Sequence, residues 1–232
     1  MMTSEVPRQF VKYTFYTVAP EWRRLPDDVR QEGKRQFASV VAEYAEHLTI
    51  RSYSLMGMRA DAEMMLWCVS PDLEHIQRLN THLAQTGLGT YLEIQHSYLA
   101  MTRRSLYIDD HEHQESESRT RIRPMNKPYL FVYPFVKTHE WYQLGMEERQ
   151  RMMEEHFRVG HKYSQVKIHT AYSYGMDDQE FVLGFETDSP SEFLELVMEL
   201  RPAEQRPYTE RDVPIFTCLL QPVDEVLDNL GG

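Results

Sequence analysis

MEERQRMMEEHFRVGHKY, residues 146–163, is the stretch from which the rest of the chain can be read. Met153, His156, Phe157 and Gly160 follow the i, i+3, i+4, i+7 rule, so they share one face of a helix. The rest of that helix is charged. His156 therefore points to the core side, and a glycine one turn later leaves space beside it. Such a histidine is most often a hydrogen-bonded core residue. The space beside it also suits a flat apolar group with the imidazole as its axial ligand.

Working outward, a strand at 129–137 precedes this helix, and strands at 165–174 and 179–187 follow it. Ser189-Pro190 then opens a helix to about Leu200, and a strand spans 213–220, before a short helical tail at Val223 to Leu230. In the strand at 165–174, Val166, Ile168, Thr170, Tyr172 and Tyr174 take one side, and Lys167, His169, Ala171 and Ser173 the other. The strand at 179–187 is apolar on both sides, and Gly184 would let its backbone approach a ligand closely.

The first half has the same order of elements. Its strands fall at 8–18, 48–57, 63–69 and 92–106, with a helix whose clearest part is Val29 to His47 and another from Pro71 to Thr86, stopped by Gly87 and Gly89. Gly57-Met58 with Ser70-Pro71 and Gly175-Met176 with Ser189-Pro190 repeat about 118 residues apart. The expected architecture is α+β: two ferredoxin-like modules, at 1–108 and 126–232, joined by an exposed linker at 109–125. His111 and His113 in that linker are weak candidates for a divalent metal.

A net charge of −11 argues against a nucleic-acid or anionic-membrane surface. No apolar run approaches the roughly 18 residues that span a bilayer. MMTSEVPRQF lacks the apolar segment of a signal peptide, which predicts a cytoplasmic protein. Cys68 and Cys218 sit in apolar strand-like runs and read as buried free thiols.

The run YPFVK (133–137), Trp141-Tyr142, MMEEH (152–156), Gly160, Tyr163 and YGMDDQEF (174–181) resembles the chlorite dismutase superfamily, nearest to its coproheme decarboxylase branch. The motifs cover about Arg119 to Thr217, and the first half matches by architecture alone. The resemblance implies that the two modules form a dimeric α+β barrel-like fold. It implies haem b or iron-coproporphyrin III as the group held, with His156 as proximal ligand, and Glu204 near the place of the residue that orients it. Tyr133 matches the tyrosine that is oxidised to a radical and attacks a propionate. Lys137, Arg119 and Arg201 match the positions that hold propionates. The family's serine five residues beyond Arg201 is Arg206 here, an extra cation that suits a four-carboxylate substrate.

Thirteen residues after the proximal histidine, oxygen-producing members carry arginine and firmicute-type decarboxylases glutamine; here the position is His169. A distal histidine can shuttle the first proton of hydrogen peroxide or ligate iron as a second axial group. Three functions follow from the resemblance: peroxide-driven oxidative decarboxylation of coproheme to haem b, chlorite decomposition to chloride and oxygen, or non-catalytic haem binding through His156 and His169. The oxidant would be hydrogen peroxide or chlorite. Relatives of this kind assemble as homo-oligomers, commonly pentamers.

Overall fold

The computed structural model describes residues 7–107 and 121–231. Among these residues nine strands and six α-helices follow one another along the chain, beginning with β1 (Phe10–Val18), α1 (Asp27–Tyr44), β2 (Thr49–Ser54), β3 (Met64–Ser70), α2 (Leu73–Ala84) and β4 (Leu92–Met101). They continue with β5 (Tyr129–Lys137), α3 (His139–Gln143), α4 (Met146–Lys162), β6 (Lys167–Tyr172), β7 (Phe181–Thr187) and α5 (Pro190–Leu200). The last are β8 (Thr209–Arg211), β9 (Phe216–Leu220) and α6 (Val223–Asn229). Among the described residues no helix is long and apolar enough to cross a membrane. Most of the expected linker, with His111 and His113, lies outside the described residues.

The chain divides into two compact units: Met1–Met101 together with Phe216–Gly232, and Thr102–Ile215. This corrects the expectation that 126–232 forms one module. β9 pairs antiparallel with β2, Tyr53 opposite Leu220, and α6 with the residue after it buries Val226, Leu227 and Leu230 in the first unit's core. A seven-residue helix with two deeply buried apolar side chains is held by that core, since its own length is too short for stability.

In the first unit the antiparallel order is β4-β1-β3-β2-β9. β3 is buried at every residue, which explains its unbroken apolar sequence. Met64, Leu66 and Cys68 face Phe37 and Val41 of α1 and Ile76, Leu79 and Leu83 of α2. The start of α2 differs from expectation by two residues. Ser70 Oγ accepts from Asp72 N, and Asp72 is the N-cap, accepting from Glu74 N at 2.8 Å. Gly89 after the helix is required by close approach: a Cβ there would lie 1.8 Å from the Leu83 carbonyl oxygen.

In the second unit the order is β6-β7-β5-β8, again antiparallel. Tyr133 is opposite Leu183, and Leu183 opposite Thr170; Phe131 is opposite Phe185, and Phe185 opposite Ile168. Directly paired residues share a face. That face carries Phe131 and Phe185 into a core with Val159 of α4 and Phe193 and Leu196 of α5. The Phe131 and Phe193 rings stack with centroids 4.0 Å apart. α5 starts where the sequence places it, with Ser189 as N-cap and Pro190 in the first turn.

The other face carries Val132, Gly184, Glu186 and His169. His169 is opposite Gly184 and buried. Its Nε2 lies 2.6 Å from Oε2 of fully buried Glu186, which also accepts from the backbone N–H of Met125 at 2.8 Å and of Lys127 at 3.4 Å. Burial alone would raise the Glu186 pKa. The hydrogen bonds from His169 and Met125 outweigh it and hold the carboxyl below its ordinary range.

Removing the carboxylate takes away the buried acceptor shared by His169 and two backbone N–H groups. Glu186→Ala is therefore expected to lower the unfolding free energy by about 3–5 kcal/mol at neutral pH, read by urea denaturation. The Glu186 contribution is complete above the unfolded value of about 4.3 and is lost as pH falls through the lower folded value. The gap between wild type and variant should close in acid. In the opposite layer, Phe193→Ala should cost about 3–5 kcal/mol through the cavity it leaves against Phe131 and Phe185.

Candidate functional site

α4 is polar outside and deepest at Met152 and Val159, with Met153, His156, Phe157 and Gly160 half-buried. Apolar spacing makes it helical, and Glu147 and Glu148 in its first turn complement the helix dipole. A Cβ built on Gly160 meets nothing within 4 Å, so room exists one turn from His156, as the glycine suggested.

The imidazole belongs to a chain of three side chains. His156 Nδ1 is 3.4 Å from Nε2 of Gln205, whose Oε1 accepts from Lys137 Nζ at 2.9 Å. Lys137 also reaches the Gln205 backbone carbonyl at 3.4 Å and lies 4.2 Å from the centre of the Trp141 ring. Lys137 and Gln205 are both buried. Burial, and then Arg206, lower the Lys137 pKa to about 8. Burial, and then Lys137, push His156 down to about 4. At neutral pH the imidazole is uncharged and keeps a nitrogen lone pair.

Two expectations change here. Glu204 does not orient His156; it is exposed, pairs with Arg151 at 2.6 Å, and its backbone N–H donates to Glu155. The turn after α5 buries Ala203 and Gln205 and turns Glu204 outward, so the partner of His156 is one residue further on. Lys137, expected at a propionate, is instead held beside His156 by Gln205 and Trp141. A buried amide one position from an expected carboxylate carries no motif of its own, and nothing in the sequence around it singled it out.

Tyr133 lies on the α4-facing side of β5, half-buried, its ring stacked on Phe185 at 5.5 Å. Burial, and then the charge of Asp212, raise the phenol pKa above its ordinary value, while Arg201 and Arg206 oppose. Asp212 follows β8 and accepts from Arg201 at 3.1 Å and from Arg206 at 2.6 Å. Burial works against the Asp212 charge, but the Arg206 hydrogen bond and its cation hold the carboxyl below its usual range. Arg201, expected to hold a substrate carboxylate, is thus engaged by an internal one, and Arg206 shares it. Arg119 lies outside the described residues.

The structure does not bring His169 or Gly184 to this side. Strand side chains alternate, and the α4-facing positions of β6 are Ile168, Thr170 and Tyr172. Ile168 is 38% exposed, and Thr170 is exposed too, so this part of the apolar sheet face is left uncovered. Gly184 likewise presents its missing side chain to the far face, opposite His169. The count of thirteen residues identified a position but not the side on which it falls.

The second unit combines a neutral imidazole on α4, a partly open stretch of the sheet face that α4 packs on, a phenol on that face and two arginines around one carboxylate. Comparison with known proteins places the chain in a family. A family model described as chlorite dismutase matches residues 30–221. A coproheme decarboxylase of Mycolicibacterium smegmatis is 31% identical over 166 residues, 71% of this chain and 70% of that protein. One from Staphylococcus carnosus is 28% identical over 206 residues, 82% of each chain. A solved chlorite dismutase from Candidatus Nitrospira defluvii superposes with a TM-score of 0.87 at 23% identity, covering 97% of this chain and 95% of its own. A haem-binding protein from Thermus thermophilus gives 0.86 at 20% identity, covering 98% and 96%. The fold is chlorite dismutase-like, and with most of its length matched by the family model and a relative above 30% identity, the chain belongs to the chlorite dismutase family.

Proposed function

We propose that the protein binds an iron porphyrin through His156 and oxidatively decarboxylates iron-coproporphyrin III to haem b, with hydrogen peroxide as oxidant. The observation that carries this reading is the neutral imidazole of His156 on α4, the helix that packs on the same sheet face as Tyr133, a face left partly open at Ile168 and Thr170. The coproheme decarboxylases among its relatives point to the same substrate.

The residues fit such a group. Nδ1 of His156 is engaged by the Gln205 amide, and among the described residues nothing hydrogen-bonds Nε2. The amide oxygen and nitrogen have nearly the same shape. Turning that amide over places Oε1 as acceptor for Nδ1–H, the tautomer that leaves the Nε2 lone pair for iron. Lys137 gives up the Oε1 acceptor in that state and keeps its longer contact with the Gln205 backbone carbonyl. Ile168, Thr170 and Leu183 offer the sheet-side surface.

A bound iron porphyrin supplies the two-electron chemistry with peroxide. Tyr133 relays it: the phenol gives up its proton and one electron, then takes a hydrogen atom from the propionate carbon next to the ring. Each propionate becomes a vinyl group as carbon dioxide leaves, with two electrons and one proton released. One peroxide takes up those electrons, with that proton and one more from solvent, and becomes two waters, so two peroxides serve two propionates.

The structure weighs against the other two readings. The α4-facing side of β6 offers uncharged Ile168 and Thr170 where a cation would retain chlorite. Ligation by both His156 and His169 would require β6 to turn over and abandon the buried His169–Glu186 pair.

Peroxide titration of the protein loaded with iron-coproporphyrin III, followed by mass analysis of the porphyrin, is expected to show loss of two carboxyl groups; bleaching alone would defeat the reading. Tyr133→Phe should bind the porphyrin normally and lose at least 100-fold in decarboxylation, about 2.7 kcal/mol or more. Gln205→Leu is expected to weaken porphyrin binding about 10–100-fold by freeing the imidazole from its orienting partner. An absorbance titration reads that effect.

A further inference from the structure

Arg149 lies seven residues before His156 on α4. At about 100° per residue, seven steps return within about 20° of the same direction, roughly 10.5 Å along the helix axis. The two side chains therefore leave the helix on one face, two turns apart, and both are half-buried. Arg149 Nε is buried without a hydrogen-bond partner. Among the described residues its guanidinium makes no ion pair, whereas Arg151 is paired to Glu204 and Arg201 and Arg206 to Asp212. The nearby acids Glu147 and Glu148 are exposed and point about 160° and 100° away from it around the helix.

A partly desolvated guanidinium lacking an anion is costly and requires an explanation. Arg149 also stands in the first turn of a 17-residue helix, where the dipole adds positive potential. Both features favour an anion brought from outside. The shared face with His156 means that this anion is carried by whatever His156 holds. We propose that Arg149 recognises a carboxylate of the polycarboxylate porphyrin bound at His156, through the planar two-point pairing that guanidinium makes with carboxylate. The proposal rests on the porphyrin reading given above and adds to it a specificity residue outside the Tyr133 cluster.

The test compares iron-coproporphyrin III with its tetramethyl ester, which has the same ring and no carboxylate charge. Both are titrated into wild type, Arg149→Gln and Arg149→Lys, with Kd read from the porphyrin absorption band and folding checked by circular dichroism. Arg149→Gln is expected to weaken the free acid about tenfold, about 1.4 kcal/mol, and to leave the ester within about twofold. Arg149→Lys should recover part of the loss, because it keeps the charge without the fork. Equal weakening of acid and ester, or an unchanged Kd for the acid, overturns the assignment of Arg149. Wild type that takes up neither ligand, or uptake that survives His156→Ala, overturns the porphyrin reading at His156 and this inference with it.

Discussion

A strand residue can face only one side of its sheet, and the chemistry of the second unit depends on that constraint. Antiparallel pairing of β6, β7 and β5 puts Ile168, Leu183 and Tyr133 toward α4. The same pairing sends His169, Gly184 and Glu186 to the other side. A slip of one residue would exchange the two sets, taking the aromatic side chains away from α5 and setting His169 and Glu186 against it. Register is therefore held from both faces at once: by Phe131, Phe185 and Phe193 on one, and by the His169–Glu186 hydrogen bond on the other. The site's apolar wall and its phenol follow from that register.

On the helical side, the state of His156 comes from its surroundings. Burial removes water that would stabilise an imidazolium, and the buried ammonium of Lys137 repels a second positive charge. Gln205 joins the two without carrying charge itself. Lys137 is in turn kept in place by the Trp141 ring and by two oxygen atoms of Gln205. The result is a nitrogen base that stays neutral across the physiological range.

The cations divide into two groups with different partners. Arg201 and Arg206 converge on Asp212 beside Tyr133, leaving one net positive charge in that cluster. Lys137 is enclosed beside His156. Charges that a sequence presents as equivalent are thus separated by burial and by their partners.

Much of this was legible in the chain. The helical spacing of Met153, His156, Phe157 and Gly160, the Ser189-Pro190 start and the alternation in β6 are signals between residues a few positions apart, and local backbone geometry obliges them. They determined the α+β class, the helix bearing His156 and the side of β6 on which Ile168 and Thr170 fall. The spacing of thirteen from His156 conflicted with that alternation, and the alternation prevails because it is a steric property of the strand. Tertiary structure alone decided that Gln205 and not Glu204 meets His156, that Lys137 is enclosed, that Arg201 shares Asp212 with Arg206, and that β9 and α6 complete the first unit. Those outcomes depend on groups brought together from 6 to 194 positions apart. Their pairing is chosen by what the whole fold buries, and no local pattern encodes that choice.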